Sequence, residues 1–147
     1  MLIVVAISCD RMTKHFAEKT LADAPRRSFL GDTLRLDYAT NTGGFLGLGA
    51  DWPPALRTAV FTVGTGFMLL SAVVAGFRLR VAGAEAIGLA LVFAGGASNL
   101  VDRLWRGTVI DFLNVGVGPL RTGIFNVADM AVLFGIALFL VAHSRRV

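Results

Sequence analysis

Ile124-Phe-Asn126-Val-Ala-Asp129-Met-Ala-Val-Leu-Phe-Gly-Ile-Ala-Leu-Phe-Leu-Val-Ala-His143 is an apolar run broken by one carboxylate, Asp129, near its start. A helix needs about 20 apolar residues to cross the hydrocarbon core of a bilayer. The stretch therefore reads as a membrane span with an acid one turn in. A carboxylate at that depth is costly and by default points to a function. A second acid, Asp111, stands just upstream, in Asn99-Leu-Val-Asp102-Arg103 followed by Gly107-Thr-Val-Ile-Asp111-Phe112.

Working outward, Ala55–Phe77 also qualifies as a span, interrupted only by Arg57 near its start. Val81–Ser98 is slightly short and carries Glu85 near one end, where it reads as a snorkelling or interfacial residue. Met1–Cys9 is too short alone. It spans only if its helix continues through Asp10, Thr13 and Lys14 towards Leu21. Those three residues share a helix face, and Asp10 and Lys14 are spaced to pair along it. The expectation is an all-α membrane protein of four transmembrane helices, one domain over residues 1–147. The short Arg78–Arg80 turn makes the second and third spans an antiparallel pair.

Two polar segments lie between spans. In the first, Thr33-Leu-Arg-Leu-Asp-Tyr38 alternates polar and apolar, as a half-buried strand does. Asn41-Thr-Gly-Gly-Phe-Leu-Gly-Leu-Gly49 then reads as a turn-rich loop. The second segment runs from Asp102 to Gly123. Small residues from Ala82 to Ala90 suit close helix packing. Gly95-Gly96, beside Asn99, fits either close packing or room for a bound chain.

Composition agrees with a membrane protein. The chain is 55% hydrophobic and 16% charged, with mean hydropathy +0.70, whereas soluble domains carry about 25% charged residues. Cys9 is the single cysteine, so no internal disulfide forms. His15 and His143 are far apart and leave little for a zinc site or a histidine-based triad, so no metal is expected. The net charge of +4 suits anionic lipid headgroups. No soluble basic face suggests nucleic acid. Met1–Cys9 lacks the charged leading region of a cleaved signal peptide. If both termini face the cytoplasm, Arg78, Arg80, Arg145 and Arg146 lie inside. Arg11, Lys14, Lys19, Arg26, Arg27, Arg35, Arg103, Arg106 and Arg121 would then lie outside, so a raw positive-inside count favours the reverse. Charge alone leaves orientation open.

Asp111 follows the third span and Asp129 opens the fourth, so both belong at one membrane face. Two carboxylates brought close cannot both ionise easily; one holds a proton. Such a pair deprotonates a water with one member and protonates a leaving amine with the other. That is peptide hydrolysis without a covalent intermediate. A purely structural reading stands beside it: Asn126-x-x-Asp129 is also a helix start, with Asn as cap and an acid in the first turn. A small transporter or proton-relay protein is the alternative use of buried acids, but no internal repeat supports it.

Four words, in order, resemble the lipoprotein signal peptidases, the bacterial signal peptidase II family. They are Asp10-Arg-Met-Thr13-Lys14, Asn41-Thr-Gly43-Gly44-Phe45, Gly95-Gly96-Ala-Ser-Asn99-Leu-Val-Asp102-Arg103 with its continuation to Phe112, and Phe125-Asn126-Val-Ala128-Asp129. The resemblance implies an aspartyl endopeptidase of the inner membrane with a small extracytoplasmic β-cradle. It places the catalytic pair at Asp111 and Asp129. It places substrate-positioning or dyad-supporting roles at Asp10, Lys14, Asn41, Gly43, Asn99, Asp102, Arg103 and Asn126, with Asn41 and Arg103 nearest the scissile peptide. Its implied substrate is a prolipoprotein with a diacylglyceryl cysteine, cut just before that cysteine, with no cofactor. Its implied partners are that substrate and membrane lipid, for a monomer with cytoplasmic termini and a site near the extracytoplasmic face. The chain departs from the family pattern at Arg11, usually uncharged, and at Ser98, usually glycine; Phe45 also follows Gly44 without the usual intervening alanine.

Overall fold

The computed structural model describes residues 1–145 of the chain; Arg146, counted above among the inner charges, lies outside them. Among the described residues there are four helices and a four-stranded antiparallel sheet. Helix α1 (Leu2–Leu21) runs unbroken through Asp10 and Lys14, as its short apolar start requires. Its buried residues are Asp10, Lys14, Ala17 and Leu21, a stripe at helical spacing whose lower half is ionic and whose upper half is apolar. Strands β1 (Arg27–Phe29) and β2 (Leu34–Asn41) follow as a hairpin. A tight 3-10 turn at Phe45–Gly47 leads to α2 (Pro54–Arg78). Helix α3 (Gly83–Arg106), β3 (Val109–Val117), β4 (Leu120–Arg121) and α4 (Val127–Ser144) complete the chain.

Helices α2, α3 and α4 are each long and apolar enough to cross a membrane. The alternating segment is β2, extended at its end to Asn41. The second polar segment holds the end of a helix and two strands. Helix α3 continues past Ser98 to Arg106, so Asn99, Asp102 and Arg103 lie on a helix at positions i, i+3 and i+4. Gly107 ends it in the left-handed conformation, φ 73°, a geometry that glycine adopts freely. Then β3 pairs with β2 in the order Leu34 opposite Val115 to Asn41 opposite Val109, with an irregularity between Leu36 and Ala39. That register sets Asn41 and Asp111 at the same end of the sheet. The sheet's apolar face, Ile110 and Phe112 with Leu36 and Tyr38, packs on Ala17 and Leu21 of α1.

Glycines bring α3 and α4 together. A Cβ on Gly88 would stand 2.7 Å from the Gly135 carbonyl, and one on Gly135 would stand 2.6 Å from the Gly88 carbonyl. Higher up, Gly95 meets the Ala128 carbonyl and Gly96 meets the Leu69 side chain. The room beside Asn99 is therefore filled by helices. Glu85 does not snorkel: it is buried at 4% exposure, and its Oε1 lies 3.0 Å from His143 Nδ1 at the end of α4. This pair joins the start of α3 to the end of α4. Ile3 lines a cavity with Phe77 and Val81, so the chain start, the α2–α3 turn and the end of α4 share one end of the bundle. The sheet and the two aspartates occupy the other.

Candidate active site

Asn126 holds the two aspartates together. It caps α4, accepting from the Asp129 amide at 3.0 Å, while its own amide donates to Asp129 Oδ2 at 3.1 Å. This reciprocal capping box fixes the Asp129 side chain. The Asn126 Nδ2 group donates to Asp111 Oδ1 at 2.6 Å. One fully buried asparagine thus links both carboxylates, and the capping reading and the paired-acid reading describe the same atoms.

Each carboxylate has a second donor. Asn41 Nδ2 donates to Asp111 Oδ2 at 2.9 Å, and Asn99 Nδ2 donates to Asp129 Oδ1 at 2.9 Å. Asn41 is itself braced: it donates to the Gly44 carbonyl at 2.8 Å and accepts from the Gly43 amide at 2.8 Å. Arg103 closes this side, donating from Nη2 to the Gly43 carbonyl at 2.7 Å. Among the described residues its Nε is buried without a hydrogen-bond partner.

Behind Asn99 lies an ion cluster. Lys14 Nζ donates to Asn99 Oδ1 at 2.7 Å and to Asp102 Oδ2 at 2.7 Å, and pairs with Asp10 Oδ2 at 2.8 Å. All three charges are at most 2% exposed. A buried ion is tolerable only with such partners. Asp10 also receives Ser98 Oγ at 2.6 Å and the Ala128 amide at 2.8 Å, which ties α1 to α3 and α4. Arg11 pairs with Asp102 from the exposed side.

The ten residues singled out from sequence are therefore joined by one continuous set of hydrogen bonds and ion pairs from α1, β2 and the loop after it, α3, β3 and α4. Sequence reasoning passed over three contributors. In the sequence Ser98 stands out as a small residue and a departure from the family pattern, although its spacing to Asp102 puts both on one helix face. Arg57 looks in the sequence like an interruption of a span; its Nη1 donates to Thr42 Oγ1 at 2.9 Å and to the Ala50 carbonyl at 2.7 Å. The Ala128 amide is a backbone donor with no sequence signal.

Burial pushes the Asp111 carboxyl up to about 6, and the nearby Asp129 charge adds to the rise. The donors Asn41 and Asn126 and the Lys14 charge oppose it. Asp111 also lines a cavity of about 190 Å³ with Asn41, Thr42, Leu46, Gly47 and Ala50. No group of three or more His, Cys, Asp or Glu side chains among the described residues is arranged to hold a metal ion.

These features define a membrane-embedded helical protein with two linked carboxylates at one end of its bundle. Residues 2–145 match the signal peptidase (SPase) II family, and the chain belongs to that family of aspartic-type peptidases. It is 32% identical over 152 aligned positions to a lipoprotein signal peptidase of Chlorobium phaeobacteroides, covering 97% of this chain and 88% of that one. A lipoprotein signal peptidase of a Sulfurihydrogenibium species is 34% identical, covering 92% and 84%. The fold matches the solved structure of a bacterial membrane enzyme with TM-score 0.82 at 23% identity, covering 98% of this chain and 85% of that one. Membership in a peptidase family gives no support to the transporter reading of the buried acids.

Proposed function

We propose that the protein removes signal peptides from diacylglyceryl-modified prolipoproteins, cutting before the lipidated cysteine, with Asp111 and Asp129 as the catalytic pair. The observation that carries this reading is the Asn126 bridge, which holds two carboxylates from different elements in one buried site of a peptidase fold. Its substrate class follows from the relatives named lipoprotein signal peptidases.

A pair of this kind works with one proton between two carboxylates. Asp111, whose carboxyl burial raises, is assigned the proton at the start of the reaction. Asp129 in its charged form takes a proton from a water as the water attacks the scissile carbonyl. A tetrahedral intermediate forms, and Asp111 delivers its proton to the leaving amine. The C–N bond breaks, and the pair ends with its single proton transferred from Asp111 to Asp129. Arg103, whose Nε has no partner among the described residues, supplies a donor to the substrate backbone, and Asn41 stands beside the Gly43 carbonyl that Arg103 bonds. Asp10, Lys14, Asn99 and Asp102 keep the asparagine donors in place. Lipid surrounds the α2–α4 faces, and α1, about 30 Å long by its 20 residues, serves as a fourth span. Both termini then face the cytoplasm of a bacterial cell, with the pair near the outer face of the inner membrane.

The test is cleavage of a diacylglyceryl peptide by purified Asp111→Asn and Asp129→Asn proteins. Both are expected to lose activity while remaining in the membrane. Retained cleavage in both variants removes the pair from the mechanism.

A further inference from the structure

The loop between Asn41 and Asp51 carries two groups of the site, yet it is held from a helix that contributes no group to the carboxylate pair. Arg57 stands in the first turn of α2, and its single Nη1 bonds Thr42 at one end of the loop and Ala50 at the other. One turn further on, Phe61 lies in Thr58–Gly64, where α2 opens to an i→i+5 pitch. Such wide turns recur at functional sites. The Phe61 ring fills the space beside two loop glycines. A Cβ on Gly44 would come within 2.6 Å of it, and one on Gly49 within 3.0 Å. Trp52 stacks on Phe61 with ring centroids 5.6 Å apart. The loop is thus gripped by a guanidinium at its ends and a ring at its middle.

What the grip holds is the wall of the cavity beside Asp111, formed by Thr42, Leu46, Gly47 and Ala50. We propose that Arg57 and Phe61 are positioning residues: they clamp this loop as the wall that seats the substrate peptide next to Asp111. This rests on the reading of the site as a peptidase centre. Loosening the clamp displaces Asn41 from Asp111 and the Gly43 carbonyl from Arg103, without removing either carboxylate. Substrate affinity and the protonation of Asp111 then change together. The charged groups facing Asp111 are Asp129 on α4, Lys14 on α1 and Arg103 on α3; of these, Arg103 also meets the clamped loop, through the Gly43 carbonyl.

Purified Arg57→Ala, assayed with a diacylglyceryl peptide, is expected to raise KM about tenfold with kcat little changed, the equivalent of one charge-assisted hydrogen bond. The alkaline limb of kcat/KM moves to higher pH, because Asn41 is a donor that lowers the Asp111 pKa. Arg57→Lys recovers part of the loss. A role limited to fold stability lowers Tm but moves neither KM nor the pH limb, and that result overturns the proposal. Gly44→Ala tests the clamp from the loop side, whether or not Arg57→Ala folds. It is expected to raise KM through its clash with Phe61, and Gly44→Ala/Phe61→Leu to restore it; a double variant no better than the single one also overturns the proposal. Asp111→Asn runs alongside. If it still cuts, the reading of Asp111 as a catalytic group has failed; if it is inactive while the clamp variants match the parent, only the clamp has.

Discussion

Asn126 does two jobs, and side-chain chemistry can separate them. Serine is as good a helix cap as asparagine, but its hydroxyl is too short to cap Asp129 and still reach Asp111. Asn126→Ser therefore keeps the cap, costs about 1–3 kcal/mol through the buried acceptors it leaves unpaired, and is expected to lose at least tenfold in kcat. Asn126→Ala also removes the cap and costs about 1–2 kcal/mol more. Thermal melting in detergent beside a cleavage assay distinguishes the two. Asp111 gives a second residue-scale test. Its folded pKa, about 6, lies above its ordinary 3.8, so the native state binds more protons than the unfolded chain between those values. The contribution of this group to stability is then fullest at the acid end and declines as pH rises through the window, by about 3 kcal/mol in all. Asp111→Asn is expected to flatten that part of the Tm–pH curve between pH 4 and 6. An unchanged slope assigns the titration to another group.

At the scale of elements, the α3–α4 contact decides how Asn99 meets Asp129. Gly88 and Gly135 let the two backbones touch, and close packing of this kind is what small residues contribute between membrane helices. Gly88→Ala or Gly135→Ala forces the helices apart and is expected to cost about 1–3 kcal/mol and to reduce cleavage as well. Gly107→Ala differs, since its Cβ meets nothing within 4 Å and only the positive φ is strained. It is expected to lower Tm by the equivalent of about 1 kcal/mol while leaving kcat near the parent value. The same elements show what was legible beforehand. Polar words stood out because acids and amides in an apolar chain are rare and costly. The last two turns of α3 were hidden because Asn99, Asp102 and Arg103 break the hydropathy while keeping the helical spacing. Strand β3 was hidden because Val109, Ile110, Asp111 and Phe112 are buried in succession, so no alternation marks it. The register that brings Asn41 to Asp111 depends on that strand, and pairing across 70 residues leaves no local trace.

For the whole molecule, the same network bears on orientation. A bare count of basic residues opposes cytoplasmic termini, but many of the charges counted are not free. Lys14 pairs with Asp10 and Asp102, Arg11 with Asp102, Arg106 with Glu18, and Arg35 and Arg121 with Asp32. Arg103 is committed to the Gly43 carbonyl. The positive-inside rule concerns basic residues in short loops near the ends of spans. Charges folded against carboxylates on the site end give it little to act on, whereas Arg78 and Arg80 sit in the tight α2–α3 turn at the opposite end. Orientation is then read best by labelling. In a Cys9→Ser background, Leu120→Cys lies in the sheet at the site end and Leu79→Cys in the α2–α3 turn, and the parent side chains are 83% and 66% exposed. Both are open enough to react, so a difference between them reports sidedness and not burial. With both termini inside, a membrane-impermeant maleimide labels Leu120→Cys on cells whose inner membrane is intact, and labels Leu79→Cys only after that membrane is permeabilised. The reverse pattern puts the carboxylate pair on the cytoplasmic side and overturns the proposed orientation.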